Sequence, residues 1–189
     1  MIRIGILGDI GSGKSHVARN FKHPVFNADL EVSKLYKKDR KIFNKLKSVL
    51  PKHIYSFPIN KNEVLDAILS NKTNLKKIVK IVHLEIRKKL DIFLSKNRNK
   101  KIVILDIPLL LENKINNKND FLVFVQSKKS DIFKRLRNRQ NFNPKILTKF
   151  KNIQLPLDYK KKKSNFVVKN NFTNASIRRD IKIILNEIL

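Results

Sequence analysis

A chain of 189 residues, 41% of them hydrophobic, holds enough apolar material for one packed core with small inserted modules, and its lack of cysteine excludes disulfides and thiolate metal sites. The formal charge of +28 fits a nucleic-acid binder or compositional drift, and drift is favoured because lysines are scattered over every predicted helix of a Lys-, Asn- and Ile-rich chain. No apolar run approaches the roughly 18 residues of a membrane span and no cleavable leader can be drawn, so a soluble, cytoplasmic protein is expected.

In chain order, Ile2 to Leu7 reads as a strand buried on both faces, and a Gly-rich turn leads into a helix from about Lys14 to Phe21. Val25 and Phe26 form a short second strand ending at Asn27–Asp29. From Leu30 to about Asn97 the pattern is helical, and Leu75, Ile78, Val79, Val82, Ile86, Leu90 and Phe93 predict a long helix. Ile102 to Asp106 is the third strand, stopped by Pro108. Phe121 to Val125 is the fourth, followed by a basic helix near Ser130 to Arg139. A polar, Lys-rich stretch from Gln140 to Lys163 precedes a fifth strand, Phe166 to Val168, and a C-terminal helix with Ile177, Ile181, Ile184 and Leu185. Short apolar strands alternating with helices imply a parallel α/β sheet covered on both faces.

All four glycines, Gly5, Gly8, Gly11 and Gly13, lie in the first thirteen residues. Gly8 to Ser15 reads GDIGSGKS, which matches G-x-x-x-x-G-K-[ST] between a predicted strand and a predicted helix, the context of a P-loop. Glycines let such a turn curl so that backbone N–H groups and the helix N-terminus converge on phosphate. Gly8, Gly11, Ser12, Gly13 and Lys14 would cradle a purine nucleoside triphosphate, with Lys14 on the β- and γ-phosphates and the Ser15 hydroxyl on Mg²⁺. An N-K-x-D sequence, Asn117 to Asp120, is a chance guanine-type match, because it precedes a strand instead of following one.

The later segments narrow the class. "FNADLEVSKLY", "INKNEVLDAIL", "VHLEI", "IPLLLEN" and "QLPLDYKKKKSNFVVKNN" follow the P-loop in an order and spacing that resembles the dephospho-coenzyme A kinase family along nearly the whole chain. The resemblance implies a five-stranded P-loop core at about 1–29, 100–138 and 164–189, a helical substrate-binding insertion at about 30–97, and a small lid at about 139–163. It implies ATP-dependent phosphorylation of the ribose 3′-hydroxyl of dephospho-CoA. The expected protein is a monomer or weak homo-oligomer with no specific nucleic-acid or membrane partner. Departures from the family pattern are Asn27 for the first Asp of D-A-D, His16 for Thr, Leu84 for Pro, and Ser164 and Asn165 for Ala and Asp.

Candidate roles follow, each with a plainer alternative. Asp29 is a general base or an N-cap of the next helix. Asp106, ending the third strand, holds Mg²⁺ or caps the Pro108 turn. Glu112 orients a substrate group, pairs with a lid cation, or is a surface carboxylate. His83 binds substrate or is structural. Arg135 and Arg139, four apart on one helix, clamp the transferring phosphoryl group or form a solvated face. His16 adjoins the nucleotide site. Lys160 to Lys163 reads as a solvated run, although Lys160 matches the family's Lys. Asn170 approaches the adenine or serves as a turn residue. The close rival is another nucleoside or nucleotide kinase. The distant one, a basic nucleic-acid binder with a nucleotide site, lacks any interleaved basic and aromatic stripe.

Overall fold

A computed structural model of the chain describes residues 1–71, 73–138 and 142–189. Its strands are β1 (Ile2–Gly8), β2 (Val25–Asn27), β3 (Ile102–Asp106), β4 (Phe121–Gln126) and β5 (Phe166–Lys169). The helices are α1 (Lys14–Asn20), α2 (Ala28–Lys38), α3 (Arg40–Val49), α4 (Lys61–Ser70), α5 (Asn74–Lys96), α6 (Lys129–Arg137), α7 (Pro144–Lys151), α8 (Leu157–Lys162) and α9 (Asn174–Ile188). Two compact units result: Met1–Asn27 with Leu94–Phe142 and Ile153–Leu189, and Ala28–Phe93 with Asn143–Asn152. Within 142–163, Asn143–Asn152 belongs to the second unit and the remainder to the first.

The first unit holds a five-stranded, all-parallel sheet in the order β2-β3-β1-β4-β5. Strands buried on both faces must be apolar throughout, which is why Ile102–Leu105 and Leu122–Val125 read as unbroken hydrophobic runs. Ile4 and Ile6 of β1 pack with Val17 and Ala18 of α1, with Phe21 at its C-cap, and with Ile177, Ile181 and Ile184 of α9. Gly5 points to the opposite face, where a Cβ would stand 2.5 Å from the Leu110 side chain. Both anchors of the β1–α1 turn are therefore sunk in core, and the turn is held at the carboxyl edge of the sheet, where open α/β sheets take ligands.

The second unit is helical. Leu75, Ile78, Val82, Ile86 and Leu90 form the buried stripe of α5, at the helical period seen in the sequence. Asn60 caps α4 and Asp39 caps α3, each side chain accepting a backbone N–H of the first turn. The stretch expected to be merely polar contains α7, capped by Asn143 with Pro144 in its first turn, and Lys149 donates to the carbonyls of Ile68 and Leu69 at the end of α4. Among the described residues no helix is long and apolar enough to cross a membrane.

Candidate functional site

The turn between β1 and α1 curls through its own backbone. Ile10 N–H donates to Asp9 Oδ1 (2.7 Å) and Ser12 N–H to the Asp9 carbonyl (3.2 Å). His16 and Val17 N–H groups then donate to the Gly13 carbonyl at 2.9 and 3.0 Å, opening α1. The N–H groups ahead of them have no acceptor inside the helix, and the helix dipole adds partial positive charge there, so the turn is built to receive an anion. Lys14 lies over this loop, its ammonium donating to the carbonyls of Asp9 (2.8 Å) and Gly8 (3.2 Å). Ser15 and His16 follow in the first turn of α1, both half-buried.

Three other segments close on the loop. The Ser12 carbonyl accepts from Asn170 Nδ2 (2.7 Å), just past β5, and from Ser127 Oγ (2.9 Å), just past β4. Asn170 is buried, and its Oδ1 accepts the Phe172 N–H at 2.8 Å. Each end of the amide thus has a partner within the protein, with one further N–H and one lone pair left over. Phe172 takes φ of 65°, a left-handed conformation that costs an L-residue about 1–2 kcal/mol. That conformation brings its ring under the Arg135 guanidinium, 4.1 Å from the ring centre, a cation–π contact. Arg135 is exposed, and its guanidinium stacks on this ring. Arg139 lies outside the described residues.

Asp106 is buried at the end of β3, in strand register with Asn27 of β2, and Asn27 Nδ2 donates to its Oδ2 at 2.5 Å. It is a strand residue, not a cap. The Asn that departs from the family pattern supplies a donor where a second carboxylate would repel. Asp29, two residues on, begins the helical unit: the strand ends at Asn27, α2 starts at Ala28, and Asp29 sits exposed inside the first turn. An acid at this place is favoured by the positive end of the helix dipole.

Glu112 is neither exposed nor free. Its Oε1 lies 2.6 Å from Lys160 Nζ and accepts the Leu155 N–H at 3.0 Å, and both side chains are almost wholly buried. This corrects the expectation for Lys160, which is not part of a solvated run. A helix interleaves buried and exposed positions, so α8 turns Lys160 inward while Lys161 and Lys162 stay exposed. Breaking a buried pair leaves one charge uncompensated. Lys160→Met is expected to lower unfolding free energy by about 3 kcal/mol in a denaturant titration, and Lys160→Met with Glu112→Leu to recover much of it. His83 on α5 is half-buried. Burial first, and the positive charge of Arg87 second, hold its pKa below the usual histidine value. Its Nε2 has no hydrogen-bond partner among the described residues.

The structure also corroborates the chance reading of Asn117 to Asp120. Asp120 sits at the amino end of β4, pairing with Arg3 (2.9 Å) and accepting the Asn117 N–H, at the sheet edge opposite the phosphate loop. Ser127 and Phe172 were invisible to sequence reasoning, because a lone Ser after a strand and a Phe in an Asn-rich turn carry no motif.

Comparison with known proteins adds to this geometry. The family model described as dephospho-CoA kinase matches residues 2–176. The dephospho-CoA kinase of Wolbachia sp. subsp. Brugia malayi is 30% identical over 190 residues, covering 98% of this chain and 97% of its own. Among solved structures, TT1252 from Thermus thermophilus superposes with a TM-score of 0.79 at 26% identity, covering 100% of this chain and 98% of that one. Dephospho-CoA kinase from Campylobacter jejuni superposes with a TM-score of 0.62 at 19% identity over 98% and 96% of the two chains, which speaks for the fold.

Proposed function

This chain belongs to the dephospho-CoA kinase family and transfers the ATP γ-phosphate to the 3′-hydroxyl of dephospho-CoA, yielding coenzyme A and ADP; within that reaction we propose the roles of its individual residues. The observation that carries them is the curled loop from Gly8 to Ser15, seated between a core-anchored strand and the N-terminus of α1. Its N–H groups at Gly11 and Gly13 receive the phosphates. Lys14, already within reach of the loop carbonyls, turns its ammonium to the β- and γ-phosphates and offsets their charge.

Ser15 and Asp106 fit Mg²⁺, since a hydroxyl and a carboxylate are hard oxygen donors and Mg²⁺ takes few protein ligands beside substrate phosphates. Among the described residues no group of three His, Cys, Asp or Glu competes as a different metal centre. The ion, when bound, spreads the negative charge developing on the phosphate oxygens. Asn27 holds the Asp106 carboxylate in place.

Asp29 accepts the proton of the ribose 3′-hydroxyl. Its position in the first turn of α2, directly after β2, supports this, together with the family's D-A-D segment, of which it is the one acidic member here. Arg135, its guanidinium stacked on Phe172, lies beside the loop on the nucleotide side, and Arg139 is assigned to the lid on sequence alone. Glu112 and His83 serve acceptor binding, with His16 flanking the nucleotide. We assign acceptor recognition to the helical unit, and lid function to the stretch 139–163. The protein works in the cytoplasm as a monomer or weak homo-oligomer without a specific nucleic-acid partner.

Incubation with ATP, Mg²⁺ and dephospho-CoA, followed by mass detection, is expected to show coenzyme A. Turnover on AMP, CMP or adenosine should be far slower. Equal or faster transfer to a nucleoside monophosphate would reject the acceptor assignment while leaving the phosphate loop intact.

A further inference from the structure

We propose that Ser127 and Asn170 form a carbonyl clamp that sets the phosphate affinity of the loop, acting through the peptide between Ser12 and Gly13. The Ser12 carbonyl accepts from both residues, at 2.9 Å from Ser127 Oγ and 2.7 Å from Asn170 Nδ2, and Ser12 itself is fully buried. A peptide unit is planar and trans, so its C=O and N–H point in opposite directions. Pinning the Ser12 oxygen outward, into the β4 and β5 termini, therefore aims the Gly13 N–H inward, toward the concave side of the loop.

The pin is needed because of Gly13. Its φ is 88°, and glycine crosses between positive and negative φ at little steric cost, so this peptide is easily rotated. A rotated peptide would present a carbonyl oxygen to the phosphates and withdraw a donor. The same glycine makes the clamp possible: a Cβ there would lie 2.3 Å from Asn170 Nδ2 and 3.1 Å from Phe172 Cε1. The Asn170 amide is in turn oriented by the Phe172 N–H on its Oδ1, which leaves Nδ2 as the end facing Ser12. Ser127 and Asn170 are thus positioning residues, each anchored at the carboxyl end of a core strand.

The inference rests on ATP phosphates lying in the loop, and the test separates the two. Affinity for ATP and for tripolyphosphate would be measured by calorimetry on the full chain, beside the KM for dephospho-CoA and the thermal midpoint. Asn170→Ala is expected to weaken ATP and tripolyphosphate by the same factor, about tenfold, the scale of an unmade hydrogen bond to a buried acceptor. Ser127→Ala should weaken both by a few-fold, Ser127→Thr should stay near the parent, and the double variant should be non-additive because both donors share one acceptor. In each case the KM for dephospho-CoA should change less than twofold. Loss of ATP binding with tripolyphosphate unchanged would overturn the clamp in favour of an adenine contact. Unchanged affinity for both would overturn it outright, and so would a fall in the thermal midpoint with all ligands weakened together. A parent protein that binds ATP but not tripolyphosphate would instead defeat the phosphate-loop reading itself.

Discussion

Lys14→Ala is expected to lower kcat by about 10² to 10³, the cost of removing one preorganised donor from a developing anionic centre. The side chain is half-buried and its ammonium donates to the loop's own carbonyls at Asp9 and Gly8. It does not belong to the apolar cluster of Ile4, Ile6, Val17 and Ala18. The variant should therefore keep its thermal midpoint within a few degrees while steady-state turnover collapses. Lys14→Arg should not restore the rate, because a planar fork cannot replace a compact point charge at the end of a flexible stem. Normal turnover of the Ala variant at saturating ATP would show that the loop from Gly8 to Ser15 does not hold the reacting phosphates.

Asp29→Asn carries the second large effect. It removes a proton acceptor while preserving shape, and general-base assistance is typically worth about 10² to 10⁴ in rate. The tertiary structure sharpens this experiment, since Asp29 lies inside the first turn of α2 and is exposed. Part of its structural contribution is the interaction of a carboxylate with a helix N-terminus, about 0.3–1 kcal/mol, which the amide loses. A purely structural Asp29 would thus give a small drop in unfolding free energy and near-normal kcat. A catalytic one gives a large drop in kcat with ATP affinity, read by a fluorescent analogue, almost unchanged. Should turnover survive, Asp106 becomes the next carboxylate to replace, in a background where Asn27 is retained as its donor.

Local patterns were the legible part. A P-loop is contiguous, and its needs for glycine, lysine and hydroxyl fall within eight residues. Parallel strands announce themselves by unbroken apolar runs, and β3 spans Ile102–Asp106 as expected. The stripe from Leu75 to Leu90 likewise marks α5 because one buried face repeats at the helical period. Asn143 followed by Pro144 is a start sequence for α7, and Asn143 Oδ1 does accept from Lys145 and Ile146 at 2.9 and 3.3 Å. In a stretch so rich in lysine, polarity masked the capping pair.

By itself, then, the sequence determined the fold class, the phosphate loop, the family's ordered segments and the order of strands along the chain. Only the tertiary structure decided which side chains meet across the sheet. Asn27 and Asp106 are 79 residues apart and become partners because β2 and β3 are neighbours in register. Ser127 and Asn170 reach one carbonyl from 115 and 158 residues away because β4 and β5 end beside the loop that leaves β1. Lys160 is turned from an apparent surface lysine into the buried partner of Glu112. The physical reason is common to all three. Periodicity and turn chemistry are properties of neighbouring residues, whereas the pairing of a buried polar group depends on strand order and helix facing, which arise only when the whole core packs.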